Sequence, residues 1–356
     1  MSGGQPRAEE RVYIPMQPTK SLGALIVALL FANICLAGPR EDFIKIIEHP
    51  KVPLDPKVDE PKTENGILEY HFSFAADPQQ RVPGLILKSE KSTGRRPVMI
   101  MQHGTGGTFH DEGPFRQKMA GLGFIVASID ARHHGERSKA GTRGTADYLE
   151  GIIRAYKDGS EHPFYYDTCW DLMRLVDYLQ TRDDVDGSRI GLMGISKGGT
   201  ETYLTAAIDP RIAVAIPCIG VQSFKYSVDA NKWQARIGTV QKAFDQVAKD
   251  DGVEKPDSAF VQKFYDRVLP GACGEFDGPS MLPLIAPRPL LVINGELDER
   301  NPLPGLKLCT DAAMAAYKAK GAQDRFVVLI EPNTPHRVTP EAHDTAAEFL
   351  VKWLKP

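Results

Sequence analysis

The chain has little cysteine, no nucleotide-binding loop and no long run of one charge, and each absence removes a class of function. Its five cysteines among 356 residues include no C-x-x-C pair or other metal-ligand spacing. Neither G-x-x-x-x-G-K-[ST] nor G-x-G-x-x-G occurs, so the two familiar phosphate-cradling loops are missing. The 43 basic and 46 acidic residues leave a formal net charge of −3, spread without the basic stripe of a nucleic-acid binder. The adjacent His133 and His134 have no partnered acids or cysteines at ligand spacing. No metal, no cofactor and no nucleic-acid partner are therefore expected. Internal repeats and low-complexity tracts are also missing. What remains is 42% hydrophobic and 25% charged residues, enough for one large domain with a sizeable core.

The longest apolar run is "KSLGALIVALLFANICLAG", Lys20 to Gly38. A lysine, an apolar core and the small-residue ending Cys35-Leu36-Ala37 read as a cleavable secretory signal over residues 1–37, with translation starting at Met16. As a helix, Leu22 to Ala37 spans only ~24 Å against a hydrocarbon core of about 30 Å, and Asn33 interrupts it. Ile34 before Cys35 disfavours lipid anchoring. The expected location is secreted or periplasmic, the alternative being an anchor formed by this segment. Export leaves Cys169, Cys218, Cys273 and Cys309, which an oxidising compartment would allow to pair but which read equally as buried small apolar side chains.

After a short extension, residues 38–66, strand-like and helix-like segments alternate. "ILEYHFSFA" and "VPGLILK" open as a pair of strands; "RPVMIMQHG", "GFIVASIDAR", "RIGLMG", "IAVAIPCIG", "RPLLVING" and "RFVVLIEP" read as short buried strands, with helices between most of them. This βα order predicts an α/β fold with a mostly parallel sheet covered by helices on both faces. Residues 221–281 break the rhythm as a helical insertion, expected to fold as a lid. Its Phe224, Trp233, Val240 and Phe244 need the rim of the sheet or a substrate to cover them; Phe224 and Trp233 are candidate substrate contacts, Trp233 reading equally as a staple of the lid to the core.

In "GLMGISKGGTETYL" the lone Ser196 directly follows a buried strand and precedes a helix. The chain must turn sharply there, with the serine in strained geometry, and Gly194 and Gly198 remove side chains that would collide. This G-x-S-x-G turn resembles the nucleophile elbow of the α/β-hydrolase family, and the resemblance runs from Ile67 to Pro356. It implies the order serine, acid, histidine. Of nine histidines, only His336 and His343 follow Ser196. His343 falls inside the last helix, on its solvated face, whereas His336 lies in the loop "EPNTPHRVT" and can reach back over the sheet. In "LLVINGELDERNP", Asp298 matches the family's acid position, with Glu296 its nearest rival; Asp311 and Asp324 read as solvated charges.

By the same resemblance, "HGTGG" after "MIMQ" is the oxyanion loop, and the backbone N–H groups of Thr105 and Lys197 form the hole, Gly106 being the alternative first donor and a candidate substrate contact. His103 reads as a structural hydrogen-bonding residue. "DARHHGERS" is similar to a turn of secreted esterases and prolyl-oligopeptidase-like members, with its serine one residue late. The expected activity is hydrolysis of a small-molecule carboxylic ester, of acetyl or another short acyl group, through an acyl-enzyme formed on Ser196. Within the family the chain looks closest to acetyl-xylan-esterase-like and dienelactone-hydrolase-like enzymes. The alternatives are an exopeptidase of the prolyl-oligopeptidase-like type and a non-catalytic binding protein of the same fold.

Overall fold

Among the described residues ten strands form one sheet in the computed structural model, which describes residues 38–139 and 145–356. The export signal expected over residues 1–37 lies outside the described residues. In chain order the strands are β1 (Lys57–Val58), β2 (Lys62–Glu64), β3 (Ile67–Ala75), β4 (Arg81–Ser89), β5 (Arg96–Gln102), β6 (Ile125–Ile129), β7 (Val185–Ile195), β8 (Ile212–Cys218), β9 (Leu290–Gly295) and β10 (Phe326–Glu331). Across the sheet they run β1-β3-β4-β6-β5-β7-β8-β9-β10, with β2 also on β3. From β6 to β10 all neighbours are parallel, while β4 is antiparallel to β3 and β6. The mostly parallel sheet and its antiparallel opening pair follow the expectation.

Alternation along each strand divides the core in two. Val98 and Ile100 of β5 join Leu192 of β7 and Val292 of β9 on one face, covered by helices Tyr166–Gln180, Lys197–Ile208 and Leu303–Ala319. Met99, Met101, Met193, Leu291 and Ile293 point to the other face, under helices Gly113–Gly121 and Pro340–Leu354. Both faces are dry because parallel strands need helical cover on each side. Within the N-terminal extension, helix Pro39–Ile47 buries Phe43 and Ile47 in the first core, with the Phe43 ring centroid 4.7 Å from that of Tyr166. None of the helices among the described residues is long and apolar enough to cross a membrane.

Residues 221–281 are helical, in segments that include Phe224–Asp229, Gln241–Asp250 and Ser258–Val268. They pack beside helix Thr145–Asp158, where Lys157 Nζ pairs with Asp250 Oδ2 at 2.7 Å and Tyr156 stacks on Phe264 at 5.9 Å. Of the two covers expected for the insertion's apolar residues, the rim of the sheet or a substrate, the protein itself supplies the cover: Phe224, Val240 and Phe244 are 2%, 0% and 1% exposed, because the insertion extends the first core. Among the described residues Cys169, Cys218 and Cys309 are buried and Cys273 is half-buried, all as unpaired thiols.

Candidate active site

Ser196 sits where β7 passes into helix Lys197–Ile208, at φ 57° and ψ −111°. A non-glycine residue at positive φ is strained. The surroundings dictate the strain: a Cβ on Gly194 would lie 2.2 Å from Gly198 O, and one on Gly198 would lie 2.3 Å from Gln102 O. Gly198 is therefore required by the end of β5 as well as by the turn itself. The result lifts the serine hydroxyl to the carboxyl edge of the sheet, where ligands of open α/β sheets bind.

Asp298 and His336 arrive at the same edge from the loops after β9 and β10. His336 Nε2 lies 2.8 Å from Ser196 Oγ, and His336 Nδ1 lies 2.9 and 2.8 Å from the two carboxylate oxygens of Asp298. Glu296, the rival acid, is exposed and instead accepts the Asn333 N–H at 2.8 Å. Burial pushes the Asp298 carboxyl up, but the hydrogen bond and charge of His336, then Asn301 and Arg236, overcome it, and its pKa falls below the ordinary value. His336 is also lowered: burial acts first, and Arg236 and Arg300 add to it against the pull of Asp298. The imidazole is thus held as a neutral base whose second nitrogen is fixed by a carboxylate.

A cleft of about 350 Å³ opens over the serine, lined by Gly104, Thr105, Ile195, Ile219 and His336 together with Glu112, Arg300, Arg337, Val338 and His343. The Gly104 backbone presses on the elbow, since a Cβ there would lie 3.2 Å from Ile195 O and 3.4 Å from Ser196 Cβ. Thr105 therefore borders the serine. Lys197 begins the helix, so its N–H is one of the first-turn donors that helical bonding leaves open. His103 is structural, its Nε2 accepting the Ala131 N–H at 3.0 Å.

Several expected positions differ. Gly106, at φ 74°, is not on the cleft wall; a Cβ there would face Thr145 Oγ1 at 3.9 Å. Phe224 is a core residue rather than a substrate contact: Asp277 Oδ1 accepts its N–H at 2.8 Å, and its ring packs edge-on to Tyr265 at 5.3 Å. Of its two readings Trp233 takes that of a staple rather than a substrate wall: it donates its indole N–H to Ser258 Oγ at 3.2 Å and tilts against Phe244 at 6.2 Å, holding the insertion's own helices together and lining a different hollow. His343 is not on a solvated face: its Nε2 stands 3.2 Å from Glu112 Oε2 and its ring packs on Phe115, on the cleft wall.

The supporting residues escaped sequence reasoning. Asn301 donates from Nδ2 to Asp298 Oδ2 at 2.9 Å, and its Oδ1 accepts from Arg236 Nη2 at 2.5 Å. An asparagine three residues after the acid is a local signal that could have been read as a turn. Arg236 gave no signal, because it comes from the insertion. The Lys197 side chain is fully buried and paired with Glu201 one turn on, and burial raises the Glu201 carboxyl to about 7 despite that lysine. The spacing i,i+4 was visible; its burial was not.

The geometry stands beside known proteins as follows. The sequence profile of the acetyl xylan esterase (AXE1) family matches residues 44–228. YtaP of Bacillus subtilis strain 168, named as a hydrolase, is 26% identical over 289 residues, 77% of this chain and 84% of YtaP. A 4-O-methyl-glucuronoyl methylesterase of Phanerochaete carnosa is 25% identical over 237 residues; the match takes in 65% of this chain but only 55% of the fungal protein. The solved acetyl xylan esterase 1 of Thermoanaerobacterium sp. JW/SL YS485 shares the fold at a TM-score of 0.63 and 19% identity, covering 88% of this chain and 94% of that one.

Proposed function

The chain belongs to the acetyl xylan esterase (AXE1) family, and from that premise we propose how this carboxylic ester hydrolase works and what it takes. Ser196 Oγ attacks the ester carbonyl while His336 Nε2 accepts its proton. The imidazolium then passes that proton to the leaving alcohol oxygen. Asp298 orients the ring and stabilises its charged form. The tetrahedral oxyanion accepts hydrogen bonds from the N–H groups of Thr105 and Lys197. Water then repeats the sequence on the acyl-enzyme, with His336 again the base, and frees the acid. The observation that carries this reading is the single imidazole within hydrogen-bond reach of both a strained serine and a buried carboxylate.

The acyl group is acetyl or another short chain, because a cleft of about 350 Å³ stands near the lower limit of ligand pockets. Export is part of the proposal and rests on the apolar stretch of residues 20–38 alone. One preparation tests both parts. The chain expressed from Met16 in a Gram-negative host should be recovered from the periplasm cut near Ala37, and should hydrolyse 4-nitrophenyl acetate. Ser196→Ala should lower kcat/KM at least about a thousandfold, since triad members act as a unit. A Ser196→Ala chain that keeps its activity would overturn the mechanism, and a product retaining Lys20 would overturn export. Preference for aminoacyl anilides over acetyl esters would turn the substrate class to peptides.

A further inference from the structure

The cleft wall that carries the imidazole also carries guanidinium groups that have no ion-pair partner among the described residues. Arg300 follows Asp298 by two residues and Arg337 directly follows His336, and both line the cleft over Ser196. Among the described residues no carboxylate lies within salt-bridge distance of either guanidinium, and neither donates a hydrogen bond. The loop holds Arg300 in place through its backbone: its N–H donates to Asp298 Oδ1 at 2.9 Å and its carbonyl accepts from Arg236 Nη2 at 3.4 Å. Arg236, buried behind it, adds a third positive charge to the same wall. Glu112 is the sole carboxylate among the residues lining this cleft, and His343 faces it at 3.2 Å. Several half-buried arginines elsewhere spend their donors on the protein itself: Arg182 meets Asp184 at 2.9 Å and Arg211 meets Asp209 at 2.7 Å, while Arg288 donates to the carbonyls of Asp209 and Ile212 at 3.0 and 2.7 Å. A guanidinium that faces the cleft with its donors unspent can receive a carboxylate through them.

We propose that Arg300 binds a carboxylate on the alcohol part of the ester, so that the preferred substrates are acyl esters of carboxylate-bearing alcohols such as sugar acids and hydroxy acids. The placement follows from the chemistry. His336 must deliver its proton to the leaving oxygen, so the alcohol part lies against the wall that holds His336, Arg300 and Arg337, and the acyl part lies away from it. A planar guanidinium offers paired N–H donors that match a carboxylate. Arg337, which is exposed, contributes less because solvent screens it.

This inference rests on the esterase reading, and the test separates the two. The probes are 4-acetoxybenzoate, whose carboxylate stays on the leaving phenol, its neutral methyl ester, and mono-4-nitrophenyl glutarate, whose carboxylate is on the acyl side. The ratio of kcat/KM for 4-acetoxybenzoate over its methyl ester should fall about tenfold in Arg300→Gln, the scale of one charged hydrogen bond, and less in Arg300→Lys, which keeps the charge and loses the fork. An equal ratio in wild type and Arg300→Gln would overturn the proposal, and an Arg300 dependence confined to the glutarate would overturn the placement on the alcohol side. Calorimetric titration of 4-acetoxybenzoate into the Ser196→Ala chain, with and without Arg300→Gln, reads the same contact without turnover. Binding weakened about tenfold supports the proposal even if neither ester is cleaved, which would count against the esterase reading alone; unchanged binding overturns it.

Discussion

Two hollows in the molecule are lined by histidines and arginines, and the larger one is not the candidate active site. A cavity of about 1030 Å³ beside β3 is bordered by His49, His71, His133, Arg132 and Arg137, against about 350 Å³ at Ser196. In the large hollow every one of these groups has an acidic partner. His71 stands between Asp59 at 3.1 Å and Glu136 at 3.0 Å, and His133 pairs with Glu161 at 2.6 Å. Arg132 meets Asp77 at 3.0 Å and Asp171 at 3.3 Å, and Arg137 meets Asp171 at 2.6 Å. Burial of Asp171 is overcome by these two arginines, and its pKa falls. In the small hollow a histidine bridges a carboxylate and a strained hydroxyl, and Arg300 faces the opening unpaired. Size and polarity do not distinguish the two. The difference lies in whether the charges already satisfy one another, which makes the first a structural network and leaves the second chemistry to perform.

Breaking each network should therefore have opposite signatures. The largest effect is expected from Asp298→Asn, which leaves the shape intact but spoils the tautomer and charge support of His336; kcat/KM for an activated ester should fall about 10³- to 10⁴-fold with melting temperature near normal. Glu296→Gln, changing an exposed side chain, should stay within about twofold on the same argument. If the two results were exchanged, Glu296 would be the acid.

Asp171→Ala should do the reverse. It strands Arg132 and Arg137 without their shared partner, so the expected cost is about 3–5 kcal/mol of stability, read as a lowered urea midpoint, with kcat/KM per folded molecule little changed. Lost activity without lost stability would place that cavity in the mechanism.

The smallest effect concerns pH. Because burial, Arg236 and Arg300 hold His336 below its ordinary value, the neutral base persists as pH falls, and the acid limb of kcat/KM should lie below about pH 6.5. Removing a cation in Arg300→Gln should move that limb upward. A limb at or above the ordinary histidine value in wild type would contradict this electrostatic picture. The stability sign agrees: the unfolded chain takes up the His336 proton first, so this contribution is lost as pH drops through the ordinary value towards the lowered one. Asp298, lowered by its partners, contributes stability above the ordinary carboxyl range and loses it as pH falls through its own pKa.

The chain's local patterns determined a good deal. Short apolar runs punctuated by turns specify the parallel strands because a strand buried on both faces has no polar side to display. Gly194 and Gly198 announce the elbow because only glycine fits against the carbonyls around it. The chain order of Ser196, Asp298 and His336 then follows from the resemblance that this elbow carries. Tertiary structure decided what depends on neighbours far along the chain. Phe224 reads as a pocket wall, and Trp233 as either a wall or a staple, because an insertion leaves apolar side chains without a visible partner; the fold covers Phe224 with Tyr165 and Tyr265, and Trp233 with Phe244 and Ser258. His343 became a cleft residue because the last helix turns it to Glu112, distant in sequence. Arg236 reaches Asn301 across 65 positions, and whether Arg300 is paired depends on every chain segment that could have brought it a carboxylate. Charge compensation is a property of space, and the order of residues along a chain does not encode it locally.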